Sequence, residues 1–344
     1  MSFRRILGHR STLSLLARAI DAGTLPPSLI LAGPAGVGKR LAATALAQAL
    51  NCLSPVRPAP WPDGGEPLAV DACGECSACR RIARRIHPDF AVIEPGENGS
   101  IRIDAVRAVI DSTAFRPFEA RRRVVVFDEA DALVEDAQNA LLKTLEEPPS
   151  GSVLVLVTAQ PGTLLPTVRS RCPVVRFVPL APADVAAWLM REAGLTEEEA
   201  RAAAAVSRGS LTLAREAAQA GAGGTREAAQ RLLQRIADTA DPRARLDAVR
   251  EIGGKGKGSG ASEREALALH LHALQALLRD LGVLATSAAT GVANRDLEPA
   301  LARLSDAFGT ERVLEGFATL QAALEALDGN ASPKTVADWV ALRL

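Results

Sequence analysis

GPAGVGKR, residues Gly33 to Arg40, follows the short apolar run SLILA (Ser28 to Ala32) and opens a helical stretch of about Gly38 to Leu50. An apolar strand, a glycine-rich loop and a helix in that order form the setting of a phosphate-binding loop. In the candidate binding loop Gly33, Pro34, Gly36, Val37 and Gly38, the glycines let the backbone curl until N–H groups face phosphate oxygens. The helix N-terminus adds positive potential, and Lys39 supplies a charge for the outer phosphates. The pattern ends in Lys followed by Ser or Thr, but here Arg40 stands in place of that hydroxyl. A hydroxyl ligates magnesium, whereas a guanidinium cannot and repels the metal. The expectation is a loop that still binds ATP or ADP weakly, disfavours magnesium and is impaired in hydrolysis. Arg40 itself can turn to a phosphate or to a neighbouring carboxylate.

About ninety residues further on, VVVFDEA (Val124 to Ala130) reads as a buried strand ending in two acids. Asp128 at that place would hold magnesium, and Glu129 would polarise an attacking water. A solvated acidic turn is the plain alternative, and pairing with the glycine loop makes it the weaker one. The letters DEAD (Asp128 to Asp131) invite a helicase reading, but that family's other motifs are absent.

The first half of the chain alternates apolar strands with helical spacing: FAVIEP (Phe90 to Pro95), IDAVRAVIDSTA (Ile103 to Ala114), RVVVFDEAD (Arg123 to Asp131), EDAQNALLKTLEE (Glu135 to Glu147), SVLVLVT (Ser152 to Thr158) and PVVRFV (Pro173 to Val178). Short, fully apolar strands between helices predict an α/β fold with a parallel sheet covered on both faces. After Pro179 the strands cease and the chain is rich in alanine and leucine at helical spacing, broken by GGKGKGSGA (Gly253 to Ala261), which reads as a flexible connection. The expected domains are 1–178 (α/β, with a cysteine knuckle inserted at 52–79), 179–222 (small, helical) and 223–344 (helical).

Composition bounds the function classes. The 344 residues are 48% hydrophobic, enough for a real core, and the formal net charge is zero, so no global basic field advertises nucleic acid. No uninterrupted apolar run reaches bilayer length, and MSFRRILGHR lacks the apolar core of a signal peptide. A cytoplasmic protein with no membrane partner is expected.

Four of the five cysteines lie between Cys52 and Cys79. Cys73, Cys76 and Cys79 form a C-x-x-C-x-x-C run, and the proline- and glycine-rich stretch PVRPAPWPDGGEP brings Cys52 back to it. Four thiolates on one tetrahedral zinc is the economical reading. An iron–sulfur cluster takes the same ligands, but a knuckle without a redox partner favours zinc, and four free thiols remain as a third possibility. His87, in HPDF, suits a turn better than a ligand role.

LLKTLEEPP (Leu141 to Pro149), TVRSRC (Thr167 to Cys172), the cysteine knuckle, HPDF (His87 to Phe90) and IDAVR (Ile103 to Arg107) together resemble the clamp-loader subunits of bacterial DNA polymerase III, the delta-prime and gamma/tau group of the AAA+ class. The resemblance is specific over about residues 1–180 and rests on helical architecture beyond. It implies an AAA+ phosphate-loop domain, a helical lid and a helical collar ending in the amphipathic PKTVADWVALRL. It also implies that ILGH (Ile6 to His9) lies beside an adenine, that Thr158 senses the outer phosphate, and that Arg171 reaches into a neighbouring subunit's ATP site. The implied partners are gamma/tau and delta subunits in a five-membered ring, the sliding clamp and primed DNA.

Two departures bear on which member is resembled. Arg40 removes the magnesium hydroxyl, and Gly209-Ser210 is followed by Leu211 and Thr212 where the ATPase members carry a lid arginine. Both point to the delta-prime type, a non-catalytic subunit of a DNA-directed DNA polymerase holoenzyme that donates an arginine and does not fire itself. The rivals are an autonomous gamma/tau-type ATPase, which needs an intact motor, and a zinc-dependent DNA-binding module using Arg80, Arg81, Arg84 and Arg85.

Overall fold

The computed structural model describes residues 2–58, 67–96, 98–113, 115–219, 221–239, 241–249, 260–286, 292–328 and 331–344. It divides into two compact units, Met1–Leu180 and Ala181–Leu344. Most of the connection Pro55 to Pro67, the Gly253 to Ala261 connection as far as 259, and Ala114 lie outside the described residues.

The first unit is a five-stranded parallel sheet of order β2-β3-β4-β1-β5. Its strands are β1 (Ser28–Ala32), β2 (Phe90–Ile93), β3 (Arg123–Phe127), β4 (Ser152–Thr158) and β5 (Val174–Arg176). The helices are α1 (Arg10–Asp21), α2 (Lys39–Asn51), α3 (Ser77–Ala83), α4 (Ile103–Thr113), α5 (Glu135–Glu146) and the single turn α6 (Pro166–Arg169).

Successive strand residues point to opposite faces, and the core divides accordingly. Leu29, Leu31, Val124, Val126, Val153, Val155 and Val157 pack with α1, α2 and α3 through Leu13, Leu16, Leu46 and Ile82. Ile30, Val125, Phe127, Leu154 and Leu156 pack with α4, α5 and α6 through Val106, Val109, Leu141, Leu145 and Val168. With both faces covered, β1, β3 and β4 carry no polar alternation, while the edge strand β5 is more exposed, and the expected α/β class with a parallel sheet is the class observed. On α2, Ala42, Ala43, Ala45, Ala47 and Ala49 are all buried, and small side chains let this helix lie close to its neighbours.

All five strands run in one direction, so their carboxyl ends share one edge. Ala32 pairs with Thr158, and Phe127 with Leu156. That register puts the loop after β1, the acids after β3 and Thr158 together at the place where open α/β sheets bind ligands.

Two buried polar residues fasten loops to this frame. The antiparallel bridge Val56–Asp71 closes the excursion between Cys52 and Cys73, and the Asp71 carboxylate accepts the backbone N–H groups of Phe3, Arg4 and Ala72. The Asp89 carboxylate accepts N–H groups from Phe118 (2.7 Å), Glu119 (2.9 Å) and Ala120 (3.0 Å) and pairs with the Arg123 guanidinium (2.9 Å). His87 Nδ1 accepts the Asp89 N–H, so this histidine serves the turn, as its sequence context suggests.

Burial pushes the Asp89 carboxyl up, but the amides of Glu119, Phe118 and Ala120 and the Arg123 side chain outweigh it and hold it at about 2. A folded pKa below the unfolded value gives stability that is complete above pH 4 or so and is lost as pH falls toward 2. The shift corresponds to about 2 kcal/mol. Asp89→Asn should therefore lose about that much at neutral pH in urea unfolding, and the gap to the parent should shrink below about pH 3. A pH-independent difference would contradict this role.

The second unit is helical: α7 (Pro182–Ala193), α8 (Glu197–Val206), α9 (Leu211–Gln219), α10 (Ala222–Asp238), α11 (Pro242–Val249), α12 (Gly260–Thr286), α13 (Glu298–Asp328) and α14 (Pro333–Arg343). Thr196 and Glu199 form a reciprocal capping box at the start of α8. α13 is kinked at Gly309, whose φ of 61° and ψ of 166° are not helical. Leu267, Leu271, Leu274, Leu277, Leu278 and Leu281 of α12 are buried.

Over Ala266–Thr286, α12 is long and apolar enough to cross a bilayer by length and average hydropathy, although charged and polar residues interrupt its apolar run. That stretch includes Asp280, which is buried and accepts N–H groups from Ala293 and Asn294 and the Asn294 amide. A carboxylate so satisfied fits a core helix of this unit.

Candidate nucleotide site and metal centre

The loop from Gly33 to Gly38 joins β1 to α2, the strand–loop–helix setting expected from the sequence. Gly38 caps α2 in a left-handed conformation, φ 101°. Gly33 passes so close to the end of β5 that a Cβ there would lie 2.2 Å from the Phe177 carbonyl oxygen. Lys39 is buried, and its ammonium donates to the carbonyls of Gly33 and Pro34, each at 2.6 Å. Burial lowers its pKa, against the pull of Asp131 and Asp128.

Arg40 takes the carboxylate option. Its Nη1 lies 2.9 Å from Asp128 Oδ2 and 2.6 Å from Glu94 Oε1. Glu94 also pairs with Arg85 at 2.9 Å. Burial raises the Asp128 pKa and the Arg40 charge opposes the rise. Glu129 follows in a left-handed conformation, φ 51°. Thr158 is fully buried. Its hydroxyl donates to Asp131 (2.7 Å), its carbonyl accepts the Gly33 N–H (3.2 Å), and the Asp131 carboxylate also accepts the Ala159 N–H. Neither Glu94 nor Asp131 stands among the site residues expected from the sequence. Asp131 had a signal, as the last letter of DEAD, while Glu94 lay unmarked at the end of a strand.

His9 forms the wall next to the loop. Its Nε2 donates to the Val37 carbonyl at 2.9 Å, and its ring meets Phe177 at 4.8 Å between centroids. Burial lowers its pKa, and in the neutral tautomer that donates from Nε2, Nδ1 is the acceptor. That Nδ1 is buried and has no hydrogen-bond partner.

Arg171 stands apart from these groups. It follows α6, pairs with Glu146 and donates to the Thr167 carbonyl at 2.8 Å, with a third of its side chain exposed. Cys172 beside it is buried and belongs to the core, away from the other cysteines. In the second unit, Thr212 lies in the first turn of α9.

Cys52 caps the far end of α2, about 20 Å along the helix from Lys39. The Sγ atoms of Cys52, Cys73, Cys76 and Cys79 all lie within 4.8 Å of one another. Tetrahedral ligation by four thiolates needs sulfurs about 3.8 Å apart, so the group can hold one metal ion with small adjustments. Backbone N–H groups already point at the sulfurs: Cys73 to Cys52 and Cys76 to Cys73, both at 3.3 Å. Burial opposes ionisation of Cys76, yet the amides of Cys79 and Leu53 and the adjacent thiols bring it down to about 6. Burial pushes Cys52 and Cys79 up, so a cation is needed before all four become thiolates. Cys52 and Cys79 are fully buried in the core that covers the sheet, so the cluster is built into the unit.

Among known proteins, the model of the family described as DNA polymerase III, delta subunit, matches residues 8–181, half of the chain. The chain belongs to that family. The delta-prime subunit of DNA polymerase III from Pseudomonas aeruginosa is 41% identical over 175 residues, 50% of this chain and 49% of that protein. The Bacillus subtilis delta-prime subunit is 33% identical over 170 residues, 49% of this chain and 47% of its own length. A gamma/tau subunit of DNA polymerase III from Mycobacterium tuberculosis is 31% identical over 190 residues, 55% of this chain and 31% of that protein. The matched region thus spans about half the length of the delta-prime relatives. The family match, residues 8–181, contains the phosphate loop, the cysteine cluster, Asp128 and Arg171.

Proposed function

We propose that this chain is a delta-prime subunit of the DNA polymerase III clamp loader, working in the cytoplasm with gamma/tau and delta subunits in a five-membered ring that loads the sliding clamp on primed DNA. Its α/β unit and a lid of residues 179–222 sit in the ring, and residues 223–344 join a helical collar. Arg171 serves in trans, stabilising the charge that develops on the phosphoryl group of a neighbour's ATP. The cysteine cluster holds zinc as a structural ion.

The observation that carries the non-firing role is the Arg40–Asp128 pair, which fills the place of the magnesium ligand with a cation. The gamma/tau-type rival needs an open metal site at that position. The DNA-binding rival loses support because Arg81 pairs with Glu119 and Arg85 with Glu94, so half of that basic face is already compensated.

Reconstitution tests the reading. The isolated chain should hydrolyse no ATP above background, and adding it to gamma/tau and delta subunits should complete clamp loading on primed DNA. Turnover by the chain alone at the rate of a gamma/tau subunit would instead establish the autonomous ATPase.

A further inference from the structure

Residue 40 is where a phosphate-loop enzyme places a hydroxyl on magnesium, and Asp128 is where it places a carboxylate on the same ion. The residues here do not fit that ion. Arg40 Nη1 lies on Asp128 at 2.9 Å and on Glu94 at 2.6 Å, while Asp128 is almost fully buried. A divalent cation would have to displace the guanidinium and then stand beside it.

The same loop does fit an anion. The loop leads into the N-terminus of the thirteen-residue α2, where helix amides favour an anion, and the buried Lys39 stands at that first position. The Lys39 ammonium can exchange two loop carbonyls for phosphate oxygens. A second observation comes from His9 beside the loop: its Nε2 is bonded to the Val37 carbonyl, and its buried Nδ1 has no partner and can accept from a ligand donor.

We propose that this site binds a nucleoside di- or triphosphate without a metal ion, with Arg40 as the built-in cation. The inference rests on Gly33–Lys39 being a working phosphate loop. In a magnesium-dependent loop the ion neutralises the acid and bridges the phosphates. Here Arg40 and Arg85 face Asp128 and Glu94, so these two acids are compensated before any ligand arrives, and Asp131 is held by the Thr158 hydroxyl and the Ala159 N–H. Lys39, which already donates to two loop carbonyls, is the cation that can turn to the phosphates.

Calorimetric titration of the full chain with ATP and with ADP, each in magnesium and in EDTA, separates the outcomes. The parent should bind in EDTA at least as tightly as in magnesium. Arg40→Thr, which restores the motif hydroxyl, should lose about tenfold or more in affinity when magnesium is removed, the behaviour of a site that needs the ion. Lys39→Ala should abolish binding to both. Glu94→Gln, which leaves the motif intact and removes one compensating anion, should tighten metal-free binding. Magnesium-dependent binding by the parent overturns the proposal. No nucleotide binding by a folded parent in either condition also overturns it, and leaves the trans role of Arg171 standing on its own test. A thermal unfolding curve for each variant confirms that loss of binding is not loss of fold.

Discussion

Changing Arg171 to alanine should slow ATP hydrolysis at the neighbouring site of the reconstituted complex by about a thousandfold, the size of effect an arginine supplied in trans provides. Ring assembly should be unchanged, because Arg171 contributes little to its own unit. Its pairs with Glu146 and the Thr167 carbonyl are part-exposed, and such an ion pair is worth about 1 kcal/mol or less. The same weakness lets the side chain leave Glu146 for a neighbour's triphosphate at small cost. Lysine should not rescue the rate, since a point charge cannot reproduce the planar fork. Glu146→Gln, which releases the arginine, should leave the rate equal or higher. A complex carrying Arg171→Ala that hydrolyses ATP as fast as the parent would remove this residue from the reaction.

Metal removal should have the other large effect. The purified chain should carry about one equivalent of zinc, the count for a single four-thiolate site. Cys79→Ala should abolish that content. It should also lower the unfolding temperature of the first unit, because Cys52 and Cys79 sit in the same core as α2 and the sheet. Zinc in small structural sites contributes on the order of 10 kcal/mol of binding free energy, comparable to the whole stability of a typical domain. Partial unfolding on chelation is therefore the expected result. Cys172→Ala is the control: that residue is buried in the opposite core and should leave the metal content unchanged. A metal-free parent with four freely titratable thiols in the cluster would refute the centre.

Much of this was legible in the letters because burial on two faces writes itself plainly. β1 and β4 are buried at every position, and their short apolar runs bounded by turn residues, β-branched-rich in β4, read as buried parallel strands. The cysteines were legible from spacing alone, since C-x-x-C-x-x-C already brings three sulfurs together. The identity of residue 40 signalled a changed site, but not its partner. Glu94 reaches Arg40 only because β2 lies beside β3 in the sheet, and strand order is a long-range fact. The same holds for Asp89, whose loop partners lie some thirty residues away. The helix α1 went unmarked, although its buried Leu13, Leu16 and Ala17 show helical spacing. The family resemblance puts Thr158 beside a phosphate. Its hydroxyl is engaged by Asp131, so a sensing role would require that bond to open.

The approach of Gly33 to Phe177 bears on how such a chain changes over time. A side chain at position 33 would collide with a backbone oxygen whether or not a nucleotide is ever bound, and the Phe177 N–H is bonded to the Ala32 carbonyl at 2.7 Å, which holds that oxygen close. Position 40 carries no such burden; its side chain is a third exposed on the first turn of α2. A lineage that stopped hydrolysing ATP could drift at the second position while sterics alone preserved the first. Gly33 is in that sense a requirement of the architecture, and its presence alone says nothing about turnover.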